Sequence, residues 1–266
     1  MGNPPGSFIW YELMTTDADA AGAFYGAIIG WDVVKDPAPD PAGPDYRHII
    51  RSDGGANGGV LQLTAQMCDA GAHPCWLPYL YVTDIDAAVA SIGKDGGQVM
   101  MPPTDIGVGV IAMLTDSQGV PIYVMTPRPP ADNPDATSDV FSPTAPQRVA
   151  WNELASPDLA GSKAFYARHF GFAFNEAMPM GDLGDYCFID HGGQRLGAMM
   201  QRPDPAAPAG WLPYFRVPAI AEAKAGVEAG GGAVLMGPHE VPSGEWIIVG
   251  RDPQGAAFGL VSTQGI

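Results

Sequence analysis

The sequence predicts an α+β protein of two similar lobes, each made in turn of two modules that run strand, helix, then several strands. Three observations carry this. Residues 10–31 read WYELMTTDADAAGAFYGAIIGW and residues 151–172 read WNELASPDLAGSKAFYARHFGF, so a Trp, a Glu, a Phe-Tyr pair and a Gly return in register at an offset of 151 − 10 = 141. A repeat of that length means that each copy builds the same supersecondary unit. A shorter repeat lies inside it: Thr16-Asp17-Ala18-Asp19-Ala20-Ala21 returns as Thr83-Asp84-Ile85-Asp86-Ala87-Ala88, 83 − 16 = 67 residues later. Finally, the chain has 266 residues, about twice the usual domain size, so each lobe is long enough to bury its own core.

Each module opens with an alternating strand, passes a polar capping residue and enters a helix. In the first lobe the helix is followed by strand-like runs at 46–51 and 59–64, and after the second helix by runs at 99–101, 110–114 and 122–126, all punctuated by Gly and Pro. The third module predicts Ser156 as N-cap, Pro157 at the first helical position, Asp158 in the first turn, Leu159, Phe165 and Tyr166 in the apolar stripe, and Gly171 as the stop. The fourth begins near Leu212 and carries Ala219 in place of the capping Asp, yet AEAKAGVEAGGG still reads as a helix ended by glycines. Between the lobes runs RPPADNPDATSDVFSPTAPQ, rich in Pro and Asp and without apolar periodicity. The expected domains are therefore residues 1–128 and 147–266, joined by a linker over 129–146.

Composition removes several functions. Asp plus Glu number 29 against 13 Lys plus Arg, and a net charge of −16 repels a phosphate backbone, so nucleic acid is not an expected partner. No apolar run approaches the ~18 residues of a membrane span. The start, MGNPPGSFIW, lacks the basic and apolar regions of a secretory signal, and a cytoplasmic location is expected. Cys68, Cys75 and Cys187 have no zinc-finger spacing and suit a reducing compartment. Cys68, His73 and Cys75 lie close together, but a structural zinc site takes four ligands and no fourth is near. GxG strings, as at Gly107 and Gly109, lack the strand-to-helix context of a dinucleotide site, and no P-loop or Ser-His-Asp order is present.

The run from WYEL or WNEL through AFY to GW or GF, with the closing segments DSQGVPIYVM (116–125) and DPQGAAFGLV (252–261), resembles the glyoxalase, bleomycin-resistance and extradiol-dioxygenase superfamily, the vicinal oxygen chelate proteins. The resemblance spans nearly the whole chain as two glyoxalase-like domains in tandem. It implies two βαβββ modules per domain whose eight strands curl into a cup, in which four ligands of the metal-using members hold a divalent ion. Carried onto this chain, the first-strand ligand positions fall on Trp10, Leu77, Trp151 and Leu212, and the last-strand positions on Tyr123 and Gly259. The remaining ligand of each domain aligns near Gln62 and Gln201, weak oxygen donors at best. The fold thus arrives without the family's metal chemistry, and neither a metal nor another cofactor is expected.

Alternation along the first strands puts Glu12 and Met14 on the face of Trp10, and Glu153 and Ala155 on the face of Trp151, while Ile9, Tyr11 and Leu13 turn to the helix. Glu12 and Glu153 are the candidate catalytic residues; Trp10, Met14, Gln62, Tyr123, Trp151 and Gln201 are the candidate ligand-binding residues. The competing reading is that each Glu bonds neighbouring backbone N–H groups or an Arg and fixes its strand. His48 groups with Tyr46 and aligns with Phe188, which assigns it to packing, and His73, His169, His191 and His239 fall in loops or at element ends. The expected function is binding or transforming a small organic molecule in a cup without a metal. The alternatives are a metal-dependent lyase, isomerase or dioxygenase of the glyoxalase type, and a non-enzymatic interaction protein with closed cups. The sequence sets no oligomeric state.

Overall fold

The structure, a computed structural model, describes residues 2–35 and 43–265; the outermost residues of the two expected domains, 1 and 266, lie outside the described residues. The first module comprises β1 (Phe8–Thr15), α1 (Ala18–Ile29), β2 (Asp32–Lys35), β3 (Tyr46–Ile50) and β4 (Ala56–Gln62), and a short α2 (Ala65–Asp69) leads out of it. The second comprises β5 (Cys75–Tyr81), α3 (Ile85–Lys94), β6 (Val99–Asp105), β7 (Gly109–Thr115) and β8 (Pro121–Pro127). The third runs β9 (Val149–Ser156), α4 (Leu159–Phe170), β10 (Ala177–Pro179), β11 (Asp185–His191) and β12 (Gln194–Gln201); the fourth runs β13 (Gly210–Arg216), α5 (Ile220–Ala229), β14 (Ala233–Glu240), β15 (Trp246–Arg251) and β16 (Ala257–Ser262).

The strands form two mixed eight-stranded sheets of the same order, β2-β3-β4-β1-β5-β8-β7-β6 and β10-β11-β12-β9-β13-β16-β15-β14. Within each module the last strand returns beside the first and parallel to it, Glu12 opposite Gly59 and Glu153 opposite Ala198. In the first and third modules the return is close enough to need a glycine: a Cβ on Gly58 would lie 2.1 Å from the Tyr11 carbonyl oxygen, and one on Gly197 would lie 1.8 Å from that of Asn152.

The capping aspartates act as the repeat implies, with one correction. Asp17 and Asp84 accept hydrogen bonds from the Ala20 and Ala87 backbone N–H groups. In the third module the N-cap is Asp158, which accepts from Gly161; Pro157 precedes the helix, and Ser156 turns its hydroxyl inward to Ser162 at 2.7 Å. Gly30 and Gly171 end their helices in the left-handed region at φ 84° and 69°. Ala219 leaves α5 without a side-chain cap.

Compactness follows another division than chain order. One compact unit takes residues 1–9, 77–139 and 151–211, and the other takes 10–76, 140–150 and 212–266. Each unit holds a buried chain of three polar groups. In the second, the Trp76 indole donates to the Tyr25 hydroxyl at 2.9 Å, which donates to Asp252 at 3.0 Å. In the first, the Trp211 indole donates to the Tyr166 hydroxyl at 2.9 Å, which is bonded to Asp116. Backbone N–H groups of Gln254, Gly255 and Ala256 surround Asp252, and those of Gln118 and Val120 surround Asp116. Burial raises the pKa of both aspartates despite these donors, and raises both tyrosines. The repeated Phe-Tyr pair and the Asp of each closing segment therefore hold the cores together.

Candidate functional site

The strands that carry Trp10 and Trp151 place an acid two residues on, and each acid meets a tyrosine two strands away. In the second unit the Trp10 indole N–H donates to the Tyr46 hydroxyl at 2.9 Å, and that hydroxyl is hydrogen-bonded to Glu12. Glu12 is 2% exposed. Burial of the hydroxyl, with the Glu12 charge beside it, pushes the Tyr46 phenol well above the ordinary tyrosine range. In the first unit the Trp151 indole donates to Tyr186 at 2.8 Å, and Tyr186 donates to Glu153 Oε2 at 2.7 Å. Here the carboxylate is half-buried. One hydrogen-bonded chain, Trp to Tyr to Glu, is thus written twice.

A third ring flanks each chain. His48 stands edge-on to Trp10 and Tyr46 at 6.2 and 5.6 Å between centroids, and Phe188 stands edge-on to Trp151 and Tyr186 at 6.1 and 5.9 Å. His48 and Phe188 occupy the equivalent places that the alignment assigns them. Cys75 lies in the field of Glu12, and burial with that charge pushes its thiol up to about 12. Among the described residues no three His, Cys, Asp or Glu side chains come together to hold a metal, Cys68, His73 and Cys75 included.

The remaining candidates go elsewhere. Gln62 and Gln201 bond to backbone at helix starts: the Gln62 amide accepts from Ala18 N–H at 2.8 Å and donates to the Thr16 carbonyl at 2.7 Å, while Gln201 accepts from Leu159 N–H at 3.0 Å and donates to the Pro157 carbonyl at 2.6 Å. Both amides fasten the first turn of a helix. Met14 is buried opposite Leu61. Tyr123 is buried and stacks on Tyr79 at 4.3 Å; at the equivalent pair a Cβ on Gly259 would lie 2.3 Å from the Tyr214 ring, so the glycine makes room for that ring. Sequence reasoning missed Tyr46 and Tyr186 as partners of the acids. The signal was available, since each Tyr follows its Trp at nearly the same spacing, 46 − 10 = 36 and 186 − 151 = 35.

An open cavity of about 300 Å³ lies apart from these chains, lined by Thr144, Pro146, Arg216, Val217, Pro218, Glu245 and Thr263. Arg216 is held there by Glu245 at 2.6 Å and by the Pro143 carbonyl.

The family model of the Glyoxalase/Bleomycin resistance protein/Dioxygenase superfamily matches residues 7–124 and again 148–260. A relative in Mycobacterium tuberculosis (strain CDC 1551 / Oshkosh), named "Putative glyoxylase CFP32", is 32% identical over 258 residues, which cover 95% of this chain and 93% of that protein. The "Anthracycline biosynthesis protein DnrV" of Streptomyces peucetius is 26% identical over 279 residues, 97% of this chain and 93% of its own. Among solved structures, the Mn(II)-bound glyoxalase from Novosphingobium aromaticivorans superposes with a TM-score of 0.64 at 16% identity, covering 97% of this chain and 82% of that one. The 2,3-dioxygenase LapB from Pseudomonas sp. KL28 superposes at 0.61 and 14% identity, over 95% and 90%. These two share the fold. No helix of the described residues is long and apolar enough to cross a membrane.

Proposed function

We propose that this chain, which belongs to the Glyoxalase/Bleomycin resistance protein/Dioxygenase superfamily, binds a small organic molecule beside its Trp–Tyr–Glu chains and shifts a proton on it through Glu12 or Glu153, without the family's metal. The observation that carries this is the chain itself: Trp10 and Trp151 stand at first-strand ligand positions, and each is hydrogen-bonded through a tyrosine to an acid. The other ligand positions hold Leu77, Tyr123, Leu212 and Gly259, and the amides of Gln62 and Gln201 are engaged at helix starts. That donor set does not fit a divalent ion, which takes carboxylates, imidazoles or thiolates. The names of the relatives, one a glyoxylase and one an anthracycline biosynthesis protein, agree with small-molecule chemistry. A cytoplasmic setting accords with three free cysteines.

Chemically, the tyrosine hydroxyl fixes the orientation of the carboxylate, and the indole N–H fixes the tyrosine. A carboxylate so held can take a proton from a carbon next to a carbonyl, leaving the electron pair in an enolate, and return it to a neighbouring atom. The sum is an isomerisation with no oxidant consumed.

The test is Glu12→Gln and Glu153→Gln, assayed for turnover of a panel of small hydroxycarbonyl and aromatic ketone compounds, with metal content measured on the purified protein. At least one variant should lose about 100-fold or more in turnover with its melting temperature nearly unchanged. Full activity in both variants, or stoichiometric Mn, Fe, Ni or Zn that survives dialysis, overturns the proposal.

A further inference from the structure

In the first unit the face of the Phe188 ring is covered. The Arg195 guanidinium carbon lies over it, 4.4 Å from the centroid, and is held there by Asp190 through Nε at 3.0 Å and by Glu176 at 3.1 Å. The second unit has the same ring position, and among the described residues no cation covers it. His48 replaces Phe188, and the strand registers show what replaces the rest: Arg195 pairs with Asp190 across β11 and β12, and Ala56 pairs with Ile50 across β3 and β4. An alanine and an isoleucine thus stand where the other unit has its cation and its anchoring acid. His48 is half-buried, and its ring neighbours among the described residues are Trp10 and Tyr46, both edge-on.

We infer that the face of His48 is a stacking slot for a flat π system that is cationic or electron-poor, and that Arg195 fills the corresponding slot in the other unit. The guanidinium stands in for the ligand: it is planar, delocalised and positive, and it shows what this arrangement of three rings accepts. The slot adjoins the Trp10–Tyr46–Glu12 chain, so the inference rests on the proposed function and adds a substrate class, a molecule whose planar ring carries the group that Glu12 addresses. It also divides the labour. The second unit takes the ligand, while the first keeps the same scaffold with its slot closed.

The experiment uses the full chain and a planar cationic acridine dye, titrated by calorimetry in 0.15 M salt so that the net charge of −16 does not gather cations unspecifically. A tetraalkylammonium ion of equal charge is the non-planar control. The wild-type chain should bind one dye and no tetraalkylammonium. Ala56→Arg combined with Ile50→Asp, which copies the closed slot, should weaken dye binding at least tenfold. Arg195→Ala should raise the stoichiometry from one to two, and it needs no new group to pack. Glu12→Gln should keep dye binding and lose turnover. One dye per chain in all variants, two in the wild type, or equal binding of the tetraalkylammonium overturns the slot. Dye binding as described with full turnover in Glu12→Gln overturns the proton-transfer reading alone.

Discussion

Tyr46 reaches Glu12 by lying across Gly59, where a Cβ would come within 2.0 Å of the phenol oxygen. Tyr186 makes the same bond to Glu153 across a strand that carries Ala198 opposite the acid. Glu12 is 2% exposed and Glu153 is half-buried. The hydrogen-bonding groups are the same; what differs beneath the ring is one methyl group. Two copies of one site thus differ in solvation while their polar groups stay the same.

The most direct way to break that comparison is to remove the hydroxyl from each chain. Tyr46→Phe takes a donor from a buried carboxylate and should cost about 1–3 kcal/mol in urea unfolding, whereas Tyr186→Phe should cost less than about 1 kcal/mol because water reaches Glu153. Equal costs would show that the two sites are equally dry. Gly59→Ala sharpens the same point: it should lift the Tyr46 ring and raise the exposure of Glu12, with a penalty of about 1–3 kcal/mol.

A smaller effect is expected at the helix starts. Asp17→Ala should cost about 1 kcal/mol, and Ala219→Asp should gain about as much, since α5 lacks the side-chain cap that α1 has. Chemical denaturation of each variant checks both signs, and an unchanged Ala219→Asp protein would mean that α5 is held by packing alone.

The smallest effect compares the helix pairs. In the first unit His169 of α4 meets Asp95 at 3.0 Å with Ser91 and Arg168 beside it, and burial lowers its pKa below 6.5. In the second unit α1 and α5 meet through Phe24, Ile28, Gly226 and Gly230. Below 6.5 the unfolded chain binds a proton that folded His169 does not, so this contribution is complete above 6.5 and is lost as the pH falls through the lowered value. Hydrogen exchange in α4 should therefore quicken relative to α1 on acidification, and His169→Gln should remove the difference.

Much of this organisation is legible in the sequence because repeats report on scaffolds. The offsets between copies fix the modules, and alternation along WYEL and WNEL places Trp10 with Glu12 and Trp151 with Glu153. Side-chain destinations are harder. Gln62 sits at the end of a strand, where position along the chain says nothing of an amide that turns back to a helix start. Tyr46 and Tyr186 are joined to their acids across two strands, and a single-strand pattern cannot express that distance. The cores escape for a related reason: similarity says which segments share a shape and does not say which of them pack together.

The composition of the two compact units has a consequence for the growing polypeptide. The unit that ends at residue 211 joins Asp116 to Tyr166, 166 − 116 = 50 residues apart, while the other joins Tyr25 to Asp252 across 227 residues. Synthesis from residue 211 to 266 takes roughly 3–11 s at ordinary elongation rates. Through that interval α1, with Phe24, Tyr25, Ile28 and Ile29 buried in the finished fold, has no completed core to enter. A segment made early is thus finished late, and the ribosome, rather than the loop-closure entropy of the released chain, sets how long its aromatic face stays wet.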